Sequence, residues 1–218
     1  MNRLLFEKTG DAVWLSHLDL MRVFQRAFKR ADIMIWHSQG FSPRAYVSIA
    51  LPLPVGSESG CEILDFEIQD GSVDLAKLPA LLNRTMPAGI RVLEAYESAV
   101  KIKHLTRLRA QITLEYDDGV PAGAEREIAA LLFQPQLMVE KRTKRGMEET
   151  DIRGLLQTCE ITFRPDGLLL DCIVSAQNPP LNPILLVTAI ERYLPALRPS
   201  FAKCRRIEML DAAGEVFR

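Results

Sequence analysis

Apolar residues recur along the chain with two periods, and the change from one to the other predicts its elements. Leu4 and Phe6 share one face of a predicted strand over residues 3–8, and Gly10-Asp11 supplies the turn after it. Leu20, Phe24, Ala27 and Phe28 then fall at helical spacing, so a helix starts after Ser16. Ser16 with Asp19 three residues later is a variant of the capping box. The hydroxyl satisfies an orphan helical N–H, and the carboxylate sits at the positive end of the helix dipole. Residues 33–36 are β-branched and aromatic and read as a strand, interrupted by a loop over 38–44 and resumed over 46–53, where Pro52 and Pro54 end the pairing. Residues 62–68 alternate as a strand. A helix over 74–85 comes next through Leu75, Leu78, Leu81 and Leu82, shortened or kinked by Pro79, and 90–96 return as a strand.

The first half thus reads β-α-β-β-α-β, the split βαβ order of a ferredoxin-like domain. Residues 101–106 form a polar, basic connector. Beyond it Ile112, Leu114 and Tyr116 mark a strand over 110–116, and 125–133 a short helix. Residues 137–143 read as a strand, and 159–164 with 168–174 as a hairpin across Pro165-Asp166-Gly167. Asn182 caps a helix from Pro183 to Leu194 that Pro195 stops, and 205–210 is a last strand. This order, β-α-β-β-β-α-β, has one strand more than the first half. The fold class is therefore α+β: two tandem ferredoxin-like units with antiparallel sheets, over residues 1–100 and 101–218.

The chain has 218 residues, 48% of them hydrophobic, which is enough for buried cores without covalent staples. Cys61, Cys159, Cys172 and Cys204 are too far apart to converge as the short-spaced thiolates of a zinc or iron–sulfur site, so they read as reduced thiols, mostly in strands. No apolar run approaches the about 20 residues of a membrane span, and the N-terminus runs straight into a strand; a cytoplasmic protein without membrane contact is the expectation. There is no GxGxxG, Walker loop, HExxH or GxSxG, so hydride transfer, ATP hydrolysis and zinc proteolysis lack support, and no cofactor is expected.

A net charge of −1 hides local asymmetry. Arg22, Arg26, Lys29 and Arg30 are the only charged residues between Leu20 and Ala31, and they form a basic face beside the buried stripe. Three further basic clusters lie at 101–109, at Lys141, Arg142, Lys144 and Arg145, and at 198–206. The loop Ser38-Gln39-Gly40-Phe41-Ser42-Pro43-Arg44 is the most unusual stretch. Gly40 opens backbone geometry that other residues avoid, Pro43 stiffens the outgoing limb, Phe41 offers a flat apolar surface and Arg44 a planar cation. Such a set suits a base stacked on the ring and a phosphate held by the guanidinium; equally, Phe41 could plug the edge of the core in an ordinary structured turn. The 141–145 run, together with Gly146 and the acids Glu148, Glu149 and Asp151, reads as a solvated hairpin or, more sharply, a phosphate-contacting edge. His17, beside Asp19, is a candidate general base against the plainer reading of a structural histidine at a helix start, where an imidazolium is disfavoured. His37 and His104 have no recognisable partners.

Several separated motifs agree, in order, with one family. Phe6-Glu7-Lys8, Leu15-Ser16-His17-Leu18-Asp19-Leu20, Ser38–Arg44, Pro52-Leu53-Pro54-Val55-Gly56, and Val139–Gly146 with Asp151-Ile152-Arg153 resemble the bacterial radical-SAM-linked proteins of unknown function. The resemblance implies a radical SAM protein as partner. That partner would hold the iron–sulfur cluster, since this chain lacks the clustered cysteines for one. It also implies Asn-Pro-His where this chain has Ser42-Pro43-Arg44, so proton transfer by the side chain at 44 is not implied. A looser, architectural likeness is to the paired ferredoxin-like domains of CRISPR repeat-processing endonucleases.

Three functions are compatible with these features. The leading one is a non-catalytic accessory protein that binds RNA or a ribonucleoprotein through Arg22, Arg26, Arg30, Ser38, Gln39, Gly40, Phe41, Arg44, Lys141, Lys144 and Arg145, and presents it to the radical SAM partner. The others are a metal-independent ribonuclease with His17 as base, and a protein–protein scaffold that binds no nucleic acid.

Overall fold

Leu4 and Phe6 lie on the same face of strand β1 (Asn2–Lys8), fully out of water, in the computed structural model, which describes every residue except 40, 42, 70–72, 144 and 145. Two units are distinguishable, residues 1–104 with Arg218, and residues 105–217. In the first, β1 is followed by α1 (His17–Arg30), β2 (Val47–Ile49), β3 (Glu58–Phe66), α2 (Leu78–Asn83) and β4 (Ile90–Glu97). The sheet order is β4-β1-β3-β2, antiparallel throughout. Leu20, Phe24, Ala27 and Phe28 of α1 are buried at the spacing that predicts them. Phe24 meets Phe6 edge-on at 4.7 Å between centroids, and Phe28 meets Phe66 at 5.0 Å. Ser16 caps α1: its Oγ accepts the Asp19 N–H at 3.2 Å and donates to Asp19 Oδ2 at 2.7 Å.

Three expectations for this unit need correction. Residues 33–36 do not form a strand. Among the described residues Ile35 makes one bridge to Ile68, with Trp36 N–H donating to Glu67 O and Gln69 N–H to Met34 O, and Asp32 at φ 56° turns the chain just beforehand. The predicted strand over 46–53 shrinks to β2, since Pro52 and Pro54 have no N–H to continue a ladder. The predicted helix over 74–85 divides into a 3-10 turn at Leu75–Lys77, capped by Asp74, and the short α2. Pro79 sits in the first turn of α2, where a missing N–H costs nothing. At the end of α2, the Asn83 amide donates to Val92 O and accepts the Val92 N–H, both at 2.8 Å.

The second unit contains β5 (Arg107–Glu115), α3 (Ala124–Leu132), β6 (Met138–Thr143), β7 (Gly146–Asp151), β8 (Leu156–Arg164), β9 (Gly167–Ser175), α4 (Ile184–Tyr193) and β10 (Phe201–Leu210). Its sheet runs β10-β5-β9-β8, again antiparallel. Leu108, Ala110, Ile112 and Leu114 alternate inward on β5, as do Leu168, Leu170, Cys172 and Val174 on β9. Helices α3 and α4 pack on each other, burying Ile128, Leu131 and Leu132 from one and Leu186 and Ile190 from the other. The element order read from the sequence has one strand too few here, although the hairpin reading of the 141–151 stretch agrees with the structure. β6 and β7 form a two-stranded hairpin of their own between α3 and β8, anchored by Tyr193, whose hydroxyl donates to Met138 O at 2.9 Å, and by the Arg192–Glu149 ion pair at 2.7 Å. The protein is thus a mixed α/β chain with mainly antiparallel sheet and, among the described residues, four α-helices. All four cysteines lie in strands and remain thiols. Among the described residues, no helix is long and apolar enough to cross a membrane.

Candidate functional site

Arg26 and Lys29 lie nearly one turn apart on the exposed side of α1, because the opposite side is taken up by the Phe24–Ala27–Phe28 stripe. Facing them is the base of the 38–44 loop. Its two limbs are closed by a His37–Ala45 bridge, by Ser38 N–H donating to Arg44 O at 2.9 Å, and by Arg44 N–H donating to Ser38 Oγ at 3.2 Å. Gln25 ties the helix to the outgoing limb, its amide donating to Ala45 O at 3.2 Å. Between helix and loop base lies a cleft of about 510 Å³, bordered by Arg26, Lys29, Asp32, His37 and Arg44. Among the described residues, three permanent cations therefore face one carboxylate, which leaves that lining cationic.

His37 is the functional candidate that the sequence reading passed over. Its Nδ1 is 2.7 Å from Ile35 O. A carbonyl only accepts, so Nδ1 carries the proton, and in the neutral ring Nε2 is left as an acceptor. Nothing local to the sequence marks it, since the pairing of His37 with Ala45 that sets it beside the cleft is made across the loop. Phe41, near the loop tip, is fully exposed to solvent. On the strand-like limbs, Trp36 and Tyr46 pack edge to face at 6.0 Å.

The other predicted residues are dispersed. Arg22 donates to Asp19 Oδ1 at 3.0 Å, on the N-terminal side of the cleft-lining residues of α1. Arg30 donates to Thr85 O at 2.9 Å and borders a second hollow of about 360 Å³ that also includes Arg26. Gln39 is exposed within the loop. Lys141 stands on β6 opposite Glu148 of β7, in the second unit. Gly40, Lys144 and Arg145 lie outside the described residues. His17 is half-buried at the first position of α1, but the carboxylate meant to orient it is occupied elsewhere. Asp19 accepts from the Ser16 hydroxyl and from Arg22, and those two bonds, the Ser16 one first, hold its carboxyl below the usual range. Among the described residues no group of His, Cys, Asp and Glu is arranged to hold a metal ion.

Among solved structures, a chain of a Cbf5-Nop10-Gar1 complex is similar over 95% of this chain and 48% of that one, at 10% identity and a TM-score of 0.50. The chain spans about half the length of that neighbour, and the likeness bears on fold alone. An unknown protein from Galdieria sulphuraria overlaps 94% of this chain and 96% of its own at 12% identity, but its TM-score of 0.26 carries no argument. No curated protein matches. Residues 2–183 match the family described as uncharacterized protein conserved in bacteria (DUF2344), and the chain belongs to that bacterial family.

Proposed function

We propose that this protein is an accessory module that binds single-stranded RNA at the cleft between α1 and the 38–44 loop and presents it to a radical SAM partner enzyme. One observation carries the reading: Arg26, Lys29 and Arg44 converge on a single cleft in the same loop-and-helix unit that leaves Phe41 bare. Guanidinium groups grip phosphate oxygens through paired N–H donors, and an exposed aromatic ring stacks on any base; together they recognise a strand whose bases are unpaired. Among the described residues that line it, Asp32 offsets one of the three charges, which supports a polyanion over a neutral ligand. The partner half of the reading is supported by the resemblance of the 15–20 and 38–44 motifs to radical-SAM-linked proteins, and it assigns the chemistry to the partner.

The same proposal treats both units as ferredoxin-like domains in tandem. With the β6–β7 hairpin set aside and the strands of each unit counted in chain order, both sheets read 4-1-3-2, which supports that reading.

Fluorescence anisotropy with a labelled single-stranded oligoribonucleotide tests the cleft. Arg26→Glu/Arg44→Glu should remove binding, and Phe41→Ala should weaken it by about tenfold, the loss of one stacked base. Absence of binding to the unmodified protein at low salt, or binding indifferent to the double charge reversal, overturns the proposal.

A further inference from the structure

Arg26 borders two hollows rather than one. The second lies on the other side of α1, where Val23, Arg26 and Arg30 face Thr85, Met86 and Pro87, the turn that links α2 to β4. Its volume of about 360 Å³ is within the range of small-ligand sites. Both charged residues on its wall are arginines, and its apolar wall is Val23, Met86 and Pro87. Arg30 is held in place there: one of its five N–H donors is fixed by Thr85 O at 2.9 Å, which orients the plane of the guanidinium beside the hollow.

We infer that a bound RNA strand does not stop at the cleft but crosses α1 under Arg26 and continues into this second hollow, where Arg30 takes the next phosphate and Val23, Met86 and Pro87 receive a base. The inference rests on the nucleic-acid reading above and adds to it a direction and a length. Charge complementarity argues for a polyanion, since no acid is among the described residues that line the hollow. Continuity argues for the same strand, since a single side chain forms a wall of both spaces. Arg26 is then the shared contact between neighbouring nucleotides, and the site recognises a run of them rather than one.

The test is affinity against oligonucleotide length. Labelled oligouridylates from dinucleotide to octanucleotide are titrated with the unmodified protein, Arg30→Ala and Arg44→Ala, with thermal melts to establish folding. The unmodified protein should bind more tightly as length increases, with the slope of log affinity against log salt steepening by about 0.7 for each phosphate added. Arg30→Ala should leave the dinucleotide unchanged and abolish the gain with length, whereas Arg44→Ala should weaken every length. A length gain in Arg30→Ala equal to that of the unmodified protein overturns the second hollow and leaves the cleft standing. No binding at any length overturns both. Displacement of the octanucleotide by polyglutamate of equal charge, at equal concentration, overturns the assignment to RNA.

Discussion

Arg3 and Asp65 oppose each other across β1 and β3 as a two-pronged ion pair, Nε to Oδ1 at 2.7 Å and Nη2 to Oδ2 at 3.1 Å, with both side chains almost wholly out of water. Arg3 also donates to Ser98 Oγ and to Val100 O, each at 3.0 Å, so four of the five guanidinium N–H groups have these acceptors. A buried pair of this kind contributes little against an apolar replacement, but removing one partner strands a charge. Asp65→Ala should therefore destabilise the protein by about 3–5 kcal/mol, and Arg3→Met/Asp65→Leu should recover most of that loss. Urea denaturation of the two variants decides it; equal losses would show that the site needs its hydrogen bonds and not merely a paired charge.

Ser16 holds the start of α1 with both hydrogen-bonding functions of its hydroxyl. Ser16→Ala should cost about 1 kcal/mol, the usual value of a lost N-cap. Asp19→Asn keeps a side-chain oxygen as acceptor and leaves the Ser16 cap on the backbone N–H of residue 19, losing only the exposed ion pair with Arg22, so it should cost less, and the ranking is readable from denaturant midpoints.

Gly89 and Gly119 share a left-handed φ of 83°, and they separate backbone strain from crowding. A Cβ on Gly119 meets open space, so Gly119→Ala should cost only the strain, about 1–2 kcal/mol. At Gly89 it would run into Thr9 O and stand 2.8 Å from Ala12 Cβ, in a turn where Gly89 O already accepts the Thr9 N–H. Gly89→Ala should be the worse of the two by a wide margin in thermal melts.

Cys159 and Cys172 face each other across β8 and β9. Burial, helped by the nearby Asp171 carboxylate, pushes the Cys159 thiol up to about 12, and burial likewise raises Cys172. The folded protein therefore keeps protons that the unfolded chain gives up above about 8.5. Unfolded chains release protons on that interval and folded ones do not, so stability should fall as pH rises from the ordinary thiol value towards 12. Cys159→Ser should flatten that decline in urea titrations at neutral and alkaline pH, and native Cys159 should resist alkylation at neutral pH.

The helix α1 was legible from end to end, because its cap, stripe and charged face are all local. Residues 33–37 were not. Their β-branched and aromatic content fits a strand, yet pairing depends on a distant neighbour, and among the described residues that neighbour offers a single bridge, Ile35 to Ile68. The strand β7 is polar apart from the exposed Met147, and its strand character comes from β6 opposite it rather than from its own pattern; the sign was the complementarity of Lys141 with Glu148 across Gly146. The cleft was half visible. Arg26 and the loop stood out, but their meeting with His37 depends on the turn at Asp32, and the intervening chain carries no mark of it. Arg30 stood out as a charge; that a carbonyl from residue 85 would steer it is a long-range fact.

The Asn83 carboxamide supplies to Val92 one donor and one acceptor in the same spacing that a neighbouring strand would. β4 is the last strand on its side of the first sheet, with β1 as its partner there. A foreign strand adding to that margin would have to displace the amide before pairing with Val92, so at this one position the side chain stands where a further strand would dock.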